Sequence, residues 1–223
     1  MAPTPLTKPL AVVFDNDGLL LDTEPCWTVA EEALFRAHGR VFDLDAKRAL
    51  VGTSPKTSAP ILERLLDQPG AGQALGGELY ALALSEISAG AKPRPGATEL
   101  VAALRSAGLP LAVASNSPRS HLLAGLRRVG IEGEFDVVLG VDDVANPKPA
   151  PDLYLQACRG LSVDPADAIA LEDSLPGVSA AKAAGMRVIG IPSVAGVVLD
   201  GHADLVAGSL ADAAVYQALG LAG

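Results

Sequence analysis

Two carboxylates one residue apart, Asp15 and Asp17, stand where an uncharged apolar run, Ala11-Val12-Val13-Phe14, stops. Acids at i and i+2 repel each other and lose hydration at the end of a buried strand, so a cation between them resolves the conflict. Gly18 follows and lets the backbone turn sharply, which aims the acids into a cleft. Later apolar runs also end in polar chemistry: Ser115 and Asn116 after residues 111–114, and Glu172 and Asp173 after residues 168–171. Lys148 stands in a rigid loop, between Pro147 and Pro149. Converging carboxylates without a His/Cys cluster suit a hard divalent cation, magnesium rather than zinc. A lysine and a hydroxyl beside them suit an anionic, oxygen-rich group, and phosphate is the usual one. The lysine offers a point charge, while Ser115 and the backbone N–H groups after it offer directed donors. Each feature has a plainer reading when taken alone. The first acids could form a solvated turn, Lys148 a loop lysine, Ser115 a helix N-cap, and Glu172–Asp173 a favourable charge at a helix start.

The elements around these groups explain why they should meet. Residues 11–14, 111–114, 137–139, 168–171 and 188–191 read as short buried strands, with a sixth at 204–206. Helical periodicity separates them at 97–106, 119–129, 151–160 and 176–184, and a last helix runs through Leu219. Strands alternating with helices imply a parallel sheet covered on both faces. Right-handed crossovers put the carboxyl ends of all strands along one edge, where ligands bind in open α/β sheets.

Between the first strand and the rest, the grammar differs. Residues 19–25 read as a linker leading to a helix start at Asp22, Thr23 and Glu24; 27–37, 43–50, 57–66 and 78–89 are helical. Residues 70–77 read as a break, and 93–96 as a turn back into the main domain. The expected organisation is a core of residues 1–18 and 93–223, with an all-helical cap at 19–92. Within the cap, Gly52, Thr53, Ser54 and Lys56 form a polar loop that either touches substrate or simply turns between helices. Trp27 suits the cleft or the packing of the first cap helix, and Cys26 reads as a small buried residue. His38, His121 and His202 lack ligand spacing and read as surface residues.

Bulk composition narrows the classes of function. A chain of 223 residues with 49% hydrophobic and 19% charged residues is globular. Its formal charge of −9 argues against a general nucleic-acid or anionic-membrane binder. Two cysteines supply neither a disulfide framework nor a zinc pattern, which fits a reducing compartment. With no signal-like start and no long apolar window, the expectation is a cytoplasmic protein, monomer or weak homodimer, acting on a small phosphorylated substrate.

Four segments resemble, in order, the motifs of the haloacid dehalogenase-like (HAD) hydrolases. They are Phe14-Asp15-Asn16-Asp17-Gly18 with Asp22-Thr23-Glu24, then Ala114-Ser115-Asn116-Ser117, then Lys148-Pro149-Ala150-Pro151-Asp152, and finally Leu171-Glu172-Asp173-Ser174. The likeness is to the β-phosphoglucomutase and sugar-phosphate phosphatase subgroup. It implies a Rossmann-like parallel sheet core with helices on both faces and an inserted helical cap. It also implies Asp15 as nucleophile, Asp17 as acid and base, and Ser115, Asn116 and Lys148 as holders of the phosphoryl group. Magnesium would lie on Asp15, Asp173 and the Asp17 carbonyl, with Glu172 a ligand or its partner. Glu24 and the cap loop would lie on the substrate side. A phosphatase fits better than a phosphomutase: after the cap-loop serine the mutase has an arginine where this chain has Pro55 and Lys56, and Trp27 stands near the mutase's cap histidine. A silent phosphometabolite-binding module would have lost one of Asp15, Asp17 or Asp173, and all three are present.

Overall fold

The computed structural model describes residues 8–51, 53, 55–193 and 197–221. Among them, six strands form one parallel sheet: β1 (Ala11–Phe14), β4 (Leu111–Ala114), β5 (Val137–Leu139), β6 (Ala168–Glu172), β7 (Arg187–Gly190) and β8 (Leu205–Val206). Their spatial order is β5-β4-β1-β6-β7-β8. The chain therefore winds outward from β1 to one edge, returns, and winds outward to the other. That is the doubly wound order, whose crevice for ligands opens beside β1 at the carboxyl ends.

Alternation along β1 sorts the two faces. Val12 and Phe14 join a cluster with Leu100, Leu104, Leu122 and Leu126 from α5 (Ala97–Ser106) and α6 (Arg119–Arg128). Ala11 and Val13 face the opposite layer, with α7 (Asp152–Leu161) and α8 (Leu175–Ala183). On that second face the sheet is floored by small side chains, including Ala11, Ala112, Ala114, Ala168 and Ala170. Small floors let α7 and α8 approach closely, and the bulk needed for dense packing comes from the helices, as Leu153 and Tyr154. The last helix of the described chain, α9 (Ala213–Ala218), closes the first face through Val215.

The insertion after β1 begins and ends in a small feature absent from the expectation. Residues 19–25 are not a plain linker, because β2 (Leu21–Asp22) pairs antiparallel with β3 (Lys92–Pro93). A two-residue strand carries no period, so nothing in the sequence marked it. Between these strands lie α1 (Glu24–Ala37), α2 (Leu44–Leu50), α3 (Pro55–Leu66) and α4 (Gly72–Gly90). Ala30, Leu34, Leu62, Leu75 and Leu79 give them a hydrophobic cluster of their own. Asp43 caps α2 by accepting from the Ala46 amide at 2.8 Å. The break expected at 70–77 is helix from Gly72 onward, where the Glu63 carboxylate accepts from the Gly72 amide at 2.8 Å. An acid at a helix start satisfies an orphan donor and the helix dipole, and here offsets the glycines that suggested a break.

His121 is not the surface residue expected from its spacing. It is 4% exposed, stacks on Trp27 with ring centroids 5.8 Å apart, and its Nε2 bonds the Tyr80 carbonyl at 2.8 Å. It lies on α6 of the main sheet layer, while Trp27 and Tyr80 belong to the inserted helices, so the three rings form a seam between the two parts. Burial holds the imidazole below its ordinary pKa. His38, half-buried, bonds Glu78 and Gln68, and His202 is exposed. Among the described residues, no helix is long and apolar enough to cross a membrane.

Candidate active site

The carboxyl ends of β1, β4 and β6 bring together groups that are far apart in sequence. Asp15 leaves β1 with its amide donating to the Leu171 carbonyl at 3.0 Å, which locks the strand end to β6. Lys148 comes from the loop before α7, and its Nζ lies 2.7 Å from Asp15 Oδ1 and 2.5 Å from Glu172 Oε1. All three side chains are buried, Glu172 completely. Carboxylate oxygens of Asp15, Glu172 and Asp173 lie within 4.8 Å of one another.

Gly18 is what allows this approach. Its φ is +85°, which glycine adopts without steric cost, and a Cβ there would overlap the Asp173 carboxylate and the Ser193 hydroxyl. Ser193 donates to Asp173 Oδ2 from the loop after β7. Gly177, in the first turn of α8, is equally constrained, because a Cβ there would fall on the Glu172 carboxylate. Gly177→Ala is therefore expected to destabilise the protein by about 1–3 kcal/mol through overpacking, although alanine favours helix. It should also lower turnover, since Glu172 must move. A urea melt and a rate measurement check this, and a more stable, fully active variant would contradict it.

Asp17 is held apart from this cluster. Thr23 Oγ1 donates to its Oδ1 at 2.7 Å, and Ser115 Oγ donates to its Oδ2 at 2.9 Å. Ser115 Oγ in turn accepts from the Ser117 amide at 3.0 Å, so the hydroxyl is oriented from both sides. Two acids of one motif thus stand in different settings, one on a lysine and one on two hydroxyls. Separated environments of this kind are how neighbouring carboxylates take different roles.

Electrostatics show why the cluster needs positive charge. Burial pushes the Asp15 carboxyl well above its ordinary value; Lys148 opposes that, and Glu172, Asp173 and Asp17 add to it. Burial, then the Glu172 charge, pushes Asp173 up to about 7. Lys148, despite burial, is held above its ordinary value by Asp15 and Glu172, so it stays charged. One lysine faces three carboxylates. The donor set is all oxygen, so the residues fit a hard divalent cation such as magnesium. Asp17 contributes no carboxylate to this set, which leaves its main-chain carbonyl as the group it could offer.

The remaining expected residues stand elsewhere. Asn116 uses its amide on the backbone of Lys148, donating to the carbonyl at 3.1 Å and accepting from the N–H at 2.9 Å. It clamps the lysine loop instead of facing the carboxylates. Glu24 is exposed and pairs with Lys47 at 2.5 Å, because α1 presents it to α2. Thr53 turns back onto the Leu50 carbonyl at 2.7 Å and finishes α2. Lys56 is exposed in the first turn of α3. Gly52 and Ser54 lie outside the described residues. Sequence reasoning missed Tyr154, whose hydroxyl donates to Glu172 Oε1 at 2.6 Å, and Thr23, Ser174 and Ser193, which bond the acids. A buried tyrosine always raises the question of its hydroxyl's partner, and that signal was available on the apolar face of α7.

A family model described as haloacid dehalogenase-like hydrolase matches residues 9–185, which include Asp15, Asp17, Ser115, Lys148, Glu172 and Asp173. The chain belongs to that family. Among curated haloacid dehalogenase-like relatives, it is 34% identical to "Phosphorylated carbohydrates phosphatase" of Thermotoga maritima, over 90% of this chain and 92% of that protein. It is also 34% identical to "Hexitol phosphatase B" of Escherichia coli K12, over 82% and 84% of the two chains. Among solved structures of the family, it resembles a mutant of CbbY from Rhodobacter sphaeroides in complex with xylulose-(1,5)-bisphosphate. There the TM-score is 0.82 at 32% identity, covering 92% of this chain and 96% of that one.

Proposed function

We propose that this haloacid dehalogenase-like chain is a magnesium-dependent phosphatase of a small phosphorylated metabolite of the sugar-phosphate class. The observation that carries the reading is the separation of Asp15, on Lys148, from Asp17, on Thr23 and Ser115, at one sheet edge. Relatives named for phosphorylated carbohydrates and hexitol phosphates support the substrate class.

In the first half-reaction Asp15 attacks phosphorus, an Asp15 O–P bond forms, and the bond from phosphorus to the leaving oxygen breaks. Asp17 gives its proton to that oxygen, so the product leaves as an alcohol. In the second, Asp17 takes a proton from water as the water attacks phosphorus. The Asp15 O–P bond breaks, and inorganic phosphate is released. Lys148 steadies the equatorial oxygens, and Ser115 spends its hydroxyl proton on holding Asp17 in place. Asn116 serves through the Lys148 backbone that it clamps. Magnesium, when bound, would supply positive charge that offsets the carboxylates and the phosphoryl group; Asp15 and Asp173 would offer it carboxylate oxygens and Asp17 its carbonyl, with Glu172, already occupied by protein donors, beside them.

Removing divalent cations is the direct test. Chelator is expected to stop hydrolysis of a phosphorylated hexitol or of nitrophenyl phosphate, with recovery on adding magnesium, read as released inorganic phosphate. Full turnover in chelator would refute the metal's role. Transfer of the phosphoryl group to a second position of the sugar, without release, would indicate a mutase instead.

The helical insertion is proposed to act as a cap joined to the core through Gly18 and the β2–β3 pair, closing over the strand ends to exclude water. Lys56 is exposed on that insertion and is its proposed phosphate anchor. Lys56→Ala should raise KM several-fold with folding intact. Identical kinetics on every substrate would remove Lys56 from the account.

A further inference from the structure

The Glu172 carboxylate receives five donors. Lys148 Nζ and the Tyr154 hydroxyl reach Oε1 at 2.5 and 2.6 Å. The Asp173 amide, the Ser174 amide and Ser174 Oγ reach Oε2 at 3.1, 3.3 and 3.1 Å. A carboxylate has about four lone-pair sites, so the protein itself saturates this one. Such a group is a hub that fixes its neighbours.

Four of the five donors come from the active-site segments themselves. Tyr154 comes from α7, packed on the small-residue face of the sheet with Leu153, Ala157 and Leu161. It is fully buried, so its hydroxyl has no water to replace Glu172. Its ring also lies against Lys148, with Nζ 4.8 Å from the ring centroid. Tyr154 therefore bears on the lysine twice, through the oxygen that both groups share and through its π face. Without the hydroxyl, Oε1 keeps Lys148 as its one donor while Oε2 keeps its three, so the carboxylate stays tethered on one side and its Oε1 side, with Lys148, is freer to shift relative to Asp15.

We propose that Tyr154 is a positioning residue: its hydroxyl anchors Glu172, and the anchored Glu172 keeps Lys148 on Asp15. This rests on the phosphatase reading of the same site.

Tyr154→Phe tests it, because the variant keeps the ring and its packing and loses the hydroxyl. Partners that orient a metal or phosphate site typically matter about 10–100-fold, and a fall of that size is expected in kcat on nitrophenyl phosphate. KM should change by less than about threefold, since the interaction matters mainly in the transition state. Magnesium binding, followed by calorimetry without substrate, should weaken. In a Glu172→Gln background the same change should have little further effect, because Tyr154 acts through that carboxylate. Parental kcat in Tyr154→Phe, or losses that multiply in the double variant, would overturn the proposal while leaving the phosphatase reading intact. If the parent itself hydrolyses no phosphate ester, that reading fails instead. Calorimetry with magnesium chloride and inorganic phosphate then decides for Tyr154, with unchanged affinities counting against it.

Discussion

Asp15→Asn is expected to reduce turnover to background, a loss of roughly 10⁴–10⁶-fold, the scale seen when a covalent nucleophile is removed. An amide cannot form the acyl phosphate, and it also withdraws the negative charge that Lys148 Nζ meets at 2.7 Å. The fold should survive. Burial raises the Asp15 carboxyl well above its ordinary range, so a neutral amide of the same shape relieves a cost in the metal-free protein. A thermal melt at or above the parent's, together with absent activity, would place the role of Asp15 in chemistry. A variant as active as the parent would remove it from the mechanism.

Asp17→Asn should behave differently, and the difference identifies its role. The asparagine keeps an acceptor for Thr23 and Ser115 but has no proton to give or take at this pH. With a sugar phosphate the leaving alkoxide needs protonation, and the rate should fall by about 10²–10⁴-fold. Nitrophenolate leaves without help, so the first step should suffer much less. Attack of water on the acyl phosphate still needs a base, and phosphoenzyme should accumulate with that substrate. Equal losses on both substrates would argue that Asp17 holds structure and not a proton.

Much of this architecture was legible in the sequence because it follows from strong, local patterns. Uncharged four-residue runs that stop at acids or at polar residues read as buried strands ending at an edge, and β1, β6 and β4 are that. Crossover handedness then brings Asp15, Ser115 and Glu172 to one side without any knowledge of contacts. What escaped depends on partners distant in sequence. His121 looked like a surface residue until α4 covered α6 and Tyr80 supplied its acceptor. Asn116 has the right type and position for a phosphate donor, yet the Lys148 backbone 32 residues on competes for its amide and wins. Glu24 follows a helix cap and reads as a site acid, but Lys47 on the next helix captures it. Tyr154 sits on an apolar helical face, where periodicity explains it as core and says nothing of its hydroxyl.

The central claim is covalent catalysis by Asp15, and rapid quenching of Asp17→Asn with nitrophenyl phosphate tests it most directly. Nitrophenolate should appear in a burst whose amplitude matches the enzyme concentration, and mass spectrometry of the acid-quenched protein should find one phosphate, on Asp15. No burst, or a phosphate carried on Ser115, would contradict the account.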